Sequence, residues 1–409
     1  MLKDLPYSNC PPPAGLNVKI SDWLIRHLLP IGWLALLTGL FWAWDRSLHH
    51  KLYYTLIAAP ALLAALLQPK LLKQLLCNPL IIIFIFFGAY TSLTLLWSDT
   101  DKSLLSTLKR PIYVLMLLIG TGLLAIKHAH VLSKILLLAA VIATLSGVMS
   151  LAYLIYSNAG LSNLPRLSGY GALYNPLLSA HVYGFFTAFW LANWFTTRHP
   201  LPPLTLVSLA ALSIVIISTG SRTPLLALTV TLIWLALAHF NRRSLIAAGA
   251  TLSVALGILL LYPQALTERG LSYRPEIWLG ALELAMEKPW FGYGFDHQLL
   301  IKLESSQLAF NDPHNIELAV LLSGGIIGLI IWLTMYAIAL IYAWRNRHDA
   351  FVLTASALVV FGLTAGLTEG RDFLSRPKEH WFLIWIPLAL LTATWVSRST
   401  RADKAHASV

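Results

Sequence analysis

Charge is what this sequence has least of. Only 11% of its 409 residues are Asp, Glu, Lys or Arg, against about a quarter in soluble domains. Cysteine is nearly absent too: Cys10 and Cys77 show neither metal-ligand spacing nor a disulfide framework. No Walker loop, G-x-S-x-G elbow or H-E-x-x-H helix occurs, which removes the common nucleotide, serine-hydrolase and zinc-protease chemistries. Short alternating segments are missing as well, so a transmembrane β-barrel is excluded. The first 25 residues carry Pro11-Pro12-Pro13 and two acids but no apolar block with a small-residue site. They do not read as a cleaved signal peptide.

What is abundant is apolar sequence. Hydrophobic residues make up 57% of the chain and mean hydropathy is +0.69. The apolar stretches have the length that carries a helix across a bilayer core of about 30 Å. The predicted fold is therefore an all-α integral membrane protein with about 12 transmembrane helices. Expected spans are 27–44, 52–67, 79–97, 111–126, 131–156, 177–195, 203–219, 223–239, 245–262, 315–344, 350–368 and 381–396. This divides the chain into an N-terminal tail (1–26), spans one to nine (27–262), a long loop (263–314), spans ten to twelve (315–396) and a C-terminal tail (397–409). With the N-terminus inside, inner segments hold fifteen Lys/Arg; outer segments other than the long loop hold ten. Both termini are thus expected in the cytoplasm and the long loop outside.

The outer segments carry isolated arginines that topology does not require: Arg166, Arg222, Arg274, Arg371 and Arg376. In the long loop, Tyr273-Arg274-Pro275-Glu276-Ile277-Trp278 opens an amphipathic helix that Lys288-Pro289 closes. Arg274 sits at its start, where unpaired N–H groups favour an anion. Arg222 stands likewise before Thr223-Pro224, and Arg166 lies in the short outer loop before span six. Guanidinium groups so placed suit a phosphate or diphosphate, which they grip bidentately; the plain alternative is snorkelling to lipid headgroups. At the loop's end, Asp312 can cap a helix, Pro313 fits its first position and His314 falls in the first turn, with Asn315 and Glu317 beside it. A histidine there should stay neutral and able to accept a proton, as a general base does. An interfacial histidine without a task is the alternative. Asp296-His297 with Asp312 and His314 is a weak metal pattern. Asp99-Thr100-Asp101 resembles a transferase D-x-D but is expected to cap the stretch 102–110.

Taken in order, Arg166 to Asn175-Pro176, Thr219-Gly220-Ser221-Arg222-Thr223-Pro224, Arg274-Pro275-Glu276-Ile277-Trp278, Pro289-Trp290-Phe291-Gly292-Tyr293-Gly294 and Pro313-His314-Asn315 resemble the O-antigen ligase family of Gram-negative bacteria. The resemblance is strongest over residues of about 160–330. It implies a transferase, similar to multi-span enzymes with lipid-linked donors, in the inner membrane with its site facing the periplasm. Such enzymes move O-antigen from undecaprenyl diphosphate to a sugar of the lipid A–core. On this likeness His314 is the base, Arg222 and Arg274 hold the diphosphate, and Arg166 is a motif arginine of less defined role. Asp312, Asn315, Glu317, Tyr273 and Trp278 are candidate supporting residues. The implied mechanism inverts the anomeric centre without a metal or other cofactor. Expected partners are the lipid-linked donor, the lipid A–core acceptor and membrane lipids, with no nucleic acid. A polymerase or a pilin transferase using the same donor, and a flippase of lipid-linked oligosaccharides, remain alternatives.

Overall fold

A computed structural model describes residues 15–158, 164–197, 202–246, 249, 273–303 and 308–407. Its helices are α1 (Leu16–Trp42), α2 (Arg46–Leu67), α3 (Pro69–Leu76), α4 (Pro79–Trp97), α5 (Leu104–Ser157), α6 (Pro176–Thr196), α7 (Pro203–Ser218) and α8 (Thr223–Ala238). After the long loop's helix α9 (Arg274–Glu287) come β1 (Ile301–Lys302) and β2 (Ala309–Phe310), then α10 (Ile316–Arg345), α11 (Ala350–Gly366), α12 (His380–Leu383) and α13 (Trp385–Ala407). The structure is mostly helical, with one short hairpin, and is compatible with the all-α expectation. Among the described residues, α1, α2, α4, α5 and α10 are long and apolar enough to cross a membrane, and α7, α8 and α11 are shorter apolar helices. The expected ninth span, 245–262, and residues 263–272 of the expected loop fall mostly or wholly outside the described residues.

Local chemistry sets where helices begin. Asn78, Asn175 and Asp349 each accept hydrogen bonds from the first-turn N–H groups of the helix they precede. Pro79 and Pro176 follow two of them, where a missing N–H costs nothing. The first helix starts at Leu16 rather than 27, so part of the expected tail is helical. Spans four and five both lie in α5, which is two helices meeting at a kink at His128 (φ −146°, ψ 52°), where the short inner turn was expected. The D-x-D segment does not cap α5, since Ser103 precedes it. Asp99 and Asp101 instead accept from the backbone (3.0 Å) and side-chain amide (2.5 Å) of Gln298, tying α5's approach to the long loop.

The bundle is apolar outside as well as inside. Trp33, Trp332, Trp381, Trp385, Phe84 and Phe87 are almost wholly buried, while Phe86, Leu66 and Met149 are more than 60% exposed. Large apolar side chains left outside in such number are matched by lipid rather than water. Ion pairs sort by end of the bundle. Arg46–Glu379, Arg110–Asp296 and Arg274–Glu369 join segments expected on the outer side. Lys127–Asp22 and Arg398–Asp349 join segments expected on the inner side.

One feature departs from an unbroken tenth span. At Gly325 (φ 63°, ψ −166°) α10 is broken, and the segment after α9 repairs it. Tyr293 and Gly294 donate to the Leu322 and Ser323 carbonyls (2.7 and 3.0 Å), while Ile326 donates to the Pro289 carbonyl (2.8 Å). Gly292 has φ 66°, and a Cβ there would stand 2.6 Å from the Gly325 nitrogen. Only glycine fits both the left-handed backbone and the contact. The Pro289–Gly294 motif is therefore a plug in a transmembrane helix, with its freed backbone groups paired as burial requires.

Candidate functional site

Helix α9 is held by its narrow buried stripe. Ile277, Ala281 and Ala285 pack on Leu299, Ile301 and Leu303 of the hairpin and on Leu322 of α10. That docking fixes the helix start, where Tyr273 takes a left-handed conformation (φ 46°) and Arg274 begins the first turn. The Arg274 Nη2 donates to Glu369 Oε2 at 3.1 Å. Glu369 follows α11, is 5% exposed, and precedes Gly370, whose φ of 95° turns the chain.

The other oxygen of the same carboxylate faces His314. His314 Nδ1 stands 3.6 Å from Glu369 Oε1 and 3.9 Å from Asp312 Oδ1. Nδ1 is buried while the side chain is 31% exposed, so Nε2 is the accessible nitrogen. His314 does not lie in the first turn of α10, as expected. Asn315 is the capping residue and accepts from Leu318 N–H at 2.9 Å. His314 precedes it in a left-handed conformation (φ 48°), held by its N–H donating to Asp312 Oδ1 at 2.8 Å. Asp312 thus anchors His314 rather than capping the helix. Strain of this kind costs about 1–3 kcal/mol and collects at functional sites.

Glu369 dominates the electrostatics of His314. A helix N-terminus would hold the imidazole neutral, but the Glu369 carboxylate, opposed by burial and assisted by Asp312, raises the His314 pKa above 6.5. Burial pushes Glu369 up, and the neighbouring His314 with the nearby positive charge of Arg274 more than offsets it, leaving it below the ordinary glutamate value. Burial raises Asp312.

Arg166 and Arg222 approach the same region from another side. Arg166 Nε donates to the Thr219 carbonyl at 2.7 Å and Nη2 to the Ser221 hydroxyl at 3.1 Å. It clamps the turn that presents Arg222, which is exposed immediately before α8. The Thr368 hydroxyl donates to the Thr223 hydroxyl at 3.2 Å, and Asn315 Nδ2 donates to the Leu367 carbonyl at 2.9 Å. Hydrogen bonds therefore run from the Arg166 loop through the α8 start to the Glu369 turn and on to Arg274, and His314 faces the same carboxylate at 3.6 Å. Arg222 is placed in this chain by its neighbours Ser221 and Thr223.

Three supporting candidates lie apart from this chain of contacts. Tyr273 turns its ring toward Phe310, 6.2 Å away. Trp278 Nε1 and Glu317 Oε2 are buried without hydrogen-bond partners. The metal pattern is dispersed: Asp296 is taken by Arg110 and Lys102 (both 2.9 Å) and Thr100 (3.0 Å), and His297 Nδ1 by the Gly294 carbonyl. Among the described residues no three His, Cys, Asp or Glu side chains are grouped to hold a metal ion. Sequence reasoning missed Glu369. Its signal was an acid directly before a glycine in a short outer segment already marked by Arg371 and Arg376. Arg371 braces the site, its guanidinium donating to the Asn311 and His297 carbonyls.

A histidine with one nitrogen facing a buried carboxylate and the other accessible can take a proton. Arginines beside it can hold an anion. Comparison with known proteins gives the family. A sequence model of the O-antigen ligase family matches residues 207–333, which contain Arg222, Arg274 and His314. The chain is also 51% identical over 391 residues to an O-antigen ligase of Pseudomonas aeruginosa, covering 96% of each protein. The chain belongs to the O-antigen ligase family.

Proposed function

We propose that the protein transfers O-antigen polysaccharide from undecaprenyl diphosphate to a sugar hydroxyl of lipid A–core, at the periplasmic side of the inner membrane. The observation that carries this reading is the Glu369 carboxylate, which is shared between Arg274 and His314. A diphosphate is a good leaving group, so the reaction needs a base for the acceptor hydroxyl and positive charge for the departing anion. His314 supplies the first at Nε2, while the carboxylate at Nδ1 orients the ring and stabilises the imidazolium, as in other acid–histidine pairs. Arg222 and Arg274 supply the second, and Arg166 presents Arg222.

The step is an in-line displacement. The acceptor oxygen forms a bond to the anomeric carbon as the bond to the diphosphate oxygen breaks, and the configuration inverts. The acceptor proton passes to His314, and undecaprenyl diphosphate leaves as the anion. No residue here is required to act through a metal. A lipid-linked donor accounts for a catalyst embedded among lipid-facing helices. On this reading both termini lie in the cytoplasm and the 263–314 segment in the periplasm.

Lipopolysaccharide profiles of a deletion strain test the assignment. Loss of the whole ladder from lipid A–core, restored by the parent gene, is expected. A surviving single-repeat rung would show a polymerase instead, and an unchanged ladder would remove both.

A further inference from the structure

The mechanism leaves one buried group unused. His181 lies in the second turn of α6, is 1% exposed, and has no hydrogen-bond partner at either ring nitrogen. Buried polar groups in folded proteins are almost always paired, and an unmade bond costs about 1–3 kcal/mol. A neutral imidazole offers one N–H and one lone pair, so the partner of His181 has to be found near it.

Three observations locate that partner. One turn further along α6, a Cβ at Gly184 would stand 3.3 Å from Pro224 Cβ, so α6 packs against the start of α8 beside Arg222. His181 is within electrostatic reach of Glu369 and Arg274, and of His380. His380 flanks the same turn: a Cβ at Gly370 would stand 2.7 Å from its Nε2, and its Nδ1 is also without a partner. The acceptor with capacity to spare is Glu369. Its carboxylate has about four lone-pair sites, yet Arg274 is its one hydrogen-bond donor among the contacts found, since His314 stands at 3.6 Å.

We infer that His181 is a positioning residue for the transfer reaction: its unpartnered ring N–H donates to the Glu369 carboxylate once Arg274 turns to the diphosphate, and so holds that carboxylate against His314. The inference rests on the proposed roles of Glu369 and His314. It gives the carboxylate a donor that the substrate does not contest. Arg274 is drawn toward the diphosphate when the donor binds, and a buried carboxylate left with nothing else would turn away from His314 or take up a proton. With His181 beneath it, Glu369 stays ionised and aimed.

The test is the pH–rate profile of protein reconstituted in liposomes with undecaprenyl-diphosphate-linked donor and lipid A–core acceptor. The titratable and charged groups within electrostatic reach of His181 are Glu369, Arg274 and His380; those within reach of His314 are Glu369, Asp312 and Arg274. His181→Leu fills similar space without a donor. Its kcat is expected to fall roughly ten-fold or more, with donor KM within about two-fold and the acid limb displaced to lower pH. His181→Gln, which keeps an N–H donor, is expected to recover most of the rate and the parental limb. Parental kcat and limb in the leucine variant would overturn the inference, as would equal loss in both variants, which marks a packing role. If leucine prevents accumulation, His181→Phe takes its place with the same outcomes. His314→Ala in the same assay separates the two levels: turnover there removes the base itself, whereas its loss alongside normal His181 variants removes only the inference drawn here.

Discussion

Replacing Glu369 by glutamine keeps the side chain's volume and removes its charge. In the parent, one carboxylate oxygen bonds Arg274 and the other faces His314 Nδ1, and the carboxylate is the largest cause of the raised His314 pKa. A base must be unprotonated to act, so parental turnover should fall as pH drops through a value above 6.5. Glutamine removes the main cause of the rise, and the acid limb must then move to lower pH. The imidazolium that forms in the transition state also loses its partner. Hydrogen bonds to charged groups are worth about 1.5–3 kcal/mol, so kcat on the alkaline plateau should fall about ten- to a hundred-fold. Burial of a neutral amide is cheaper than burial of a carboxylate, so the variant should still insert and accumulate. The assay is initial rate against pH in liposomes, with donor saturating at each pH. An acid limb that stays in place, or moves upward, would refute the coupling between Glu369 and His314.

Arg222→Ala and Arg274→Ala should each cost roughly ten- to a hundred-fold or more in kcat/KM, and lysine should rescue poorly because it lacks the planar fork. Full activity in Arg274→Lys would favour headgroup snorkelling. Gly292→Ala places a Cβ 2.6 Å from the Gly325 nitrogen at φ 66°. It should destabilise the protein by about 2–4 kcal/mol, read as a lower unfolding temperature in detergent, and an unchanged temperature would contradict the plug at the α10 break. Cysteines placed at 290 and 403 should label from the periplasm and the cytoplasm respectively; labelling of 403 from outside would invert the topology and the site with it.

Much of this architecture is local, and local features were legible. The bounds of α9 follow from Arg274-Pro275 and Lys288-Pro289, and the starts of α4 and α6 from Asn-Pro pairs. The arginines and His314 stood out because charge is rare here and because the motif order resembles a known family. Long-range pairing was not legible. Nothing near Glu369 in the chain announces that Arg274 and His314 will share it, and nothing near Gly325 announces that a segment more than thirty residues earlier will repair the break. The one-residue shift of His314 out of the helix was equally hidden. It depends on whether Asp312 or Asn315 wins the cap, and both are good caps. The pKa of His314 was hidden too, because Glu369, the main cause of its rise, is distant in the chain.

The base assignment is tested most directly by His314→Ala, measured for transfer and for donor binding on the same liposomes. A positioned base contributes on the order of 10²–10⁴-fold. Transfer should therefore fall by at least a hundred-fold across pH, while binding of undecaprenyl-diphosphate-linked donor, which rests on Arg222 and Arg274, stays within a few-fold of the parent. Near-parental transfer by the alanine variant would contradict the account, and so would loss of transfer that simply follows loss of donor binding.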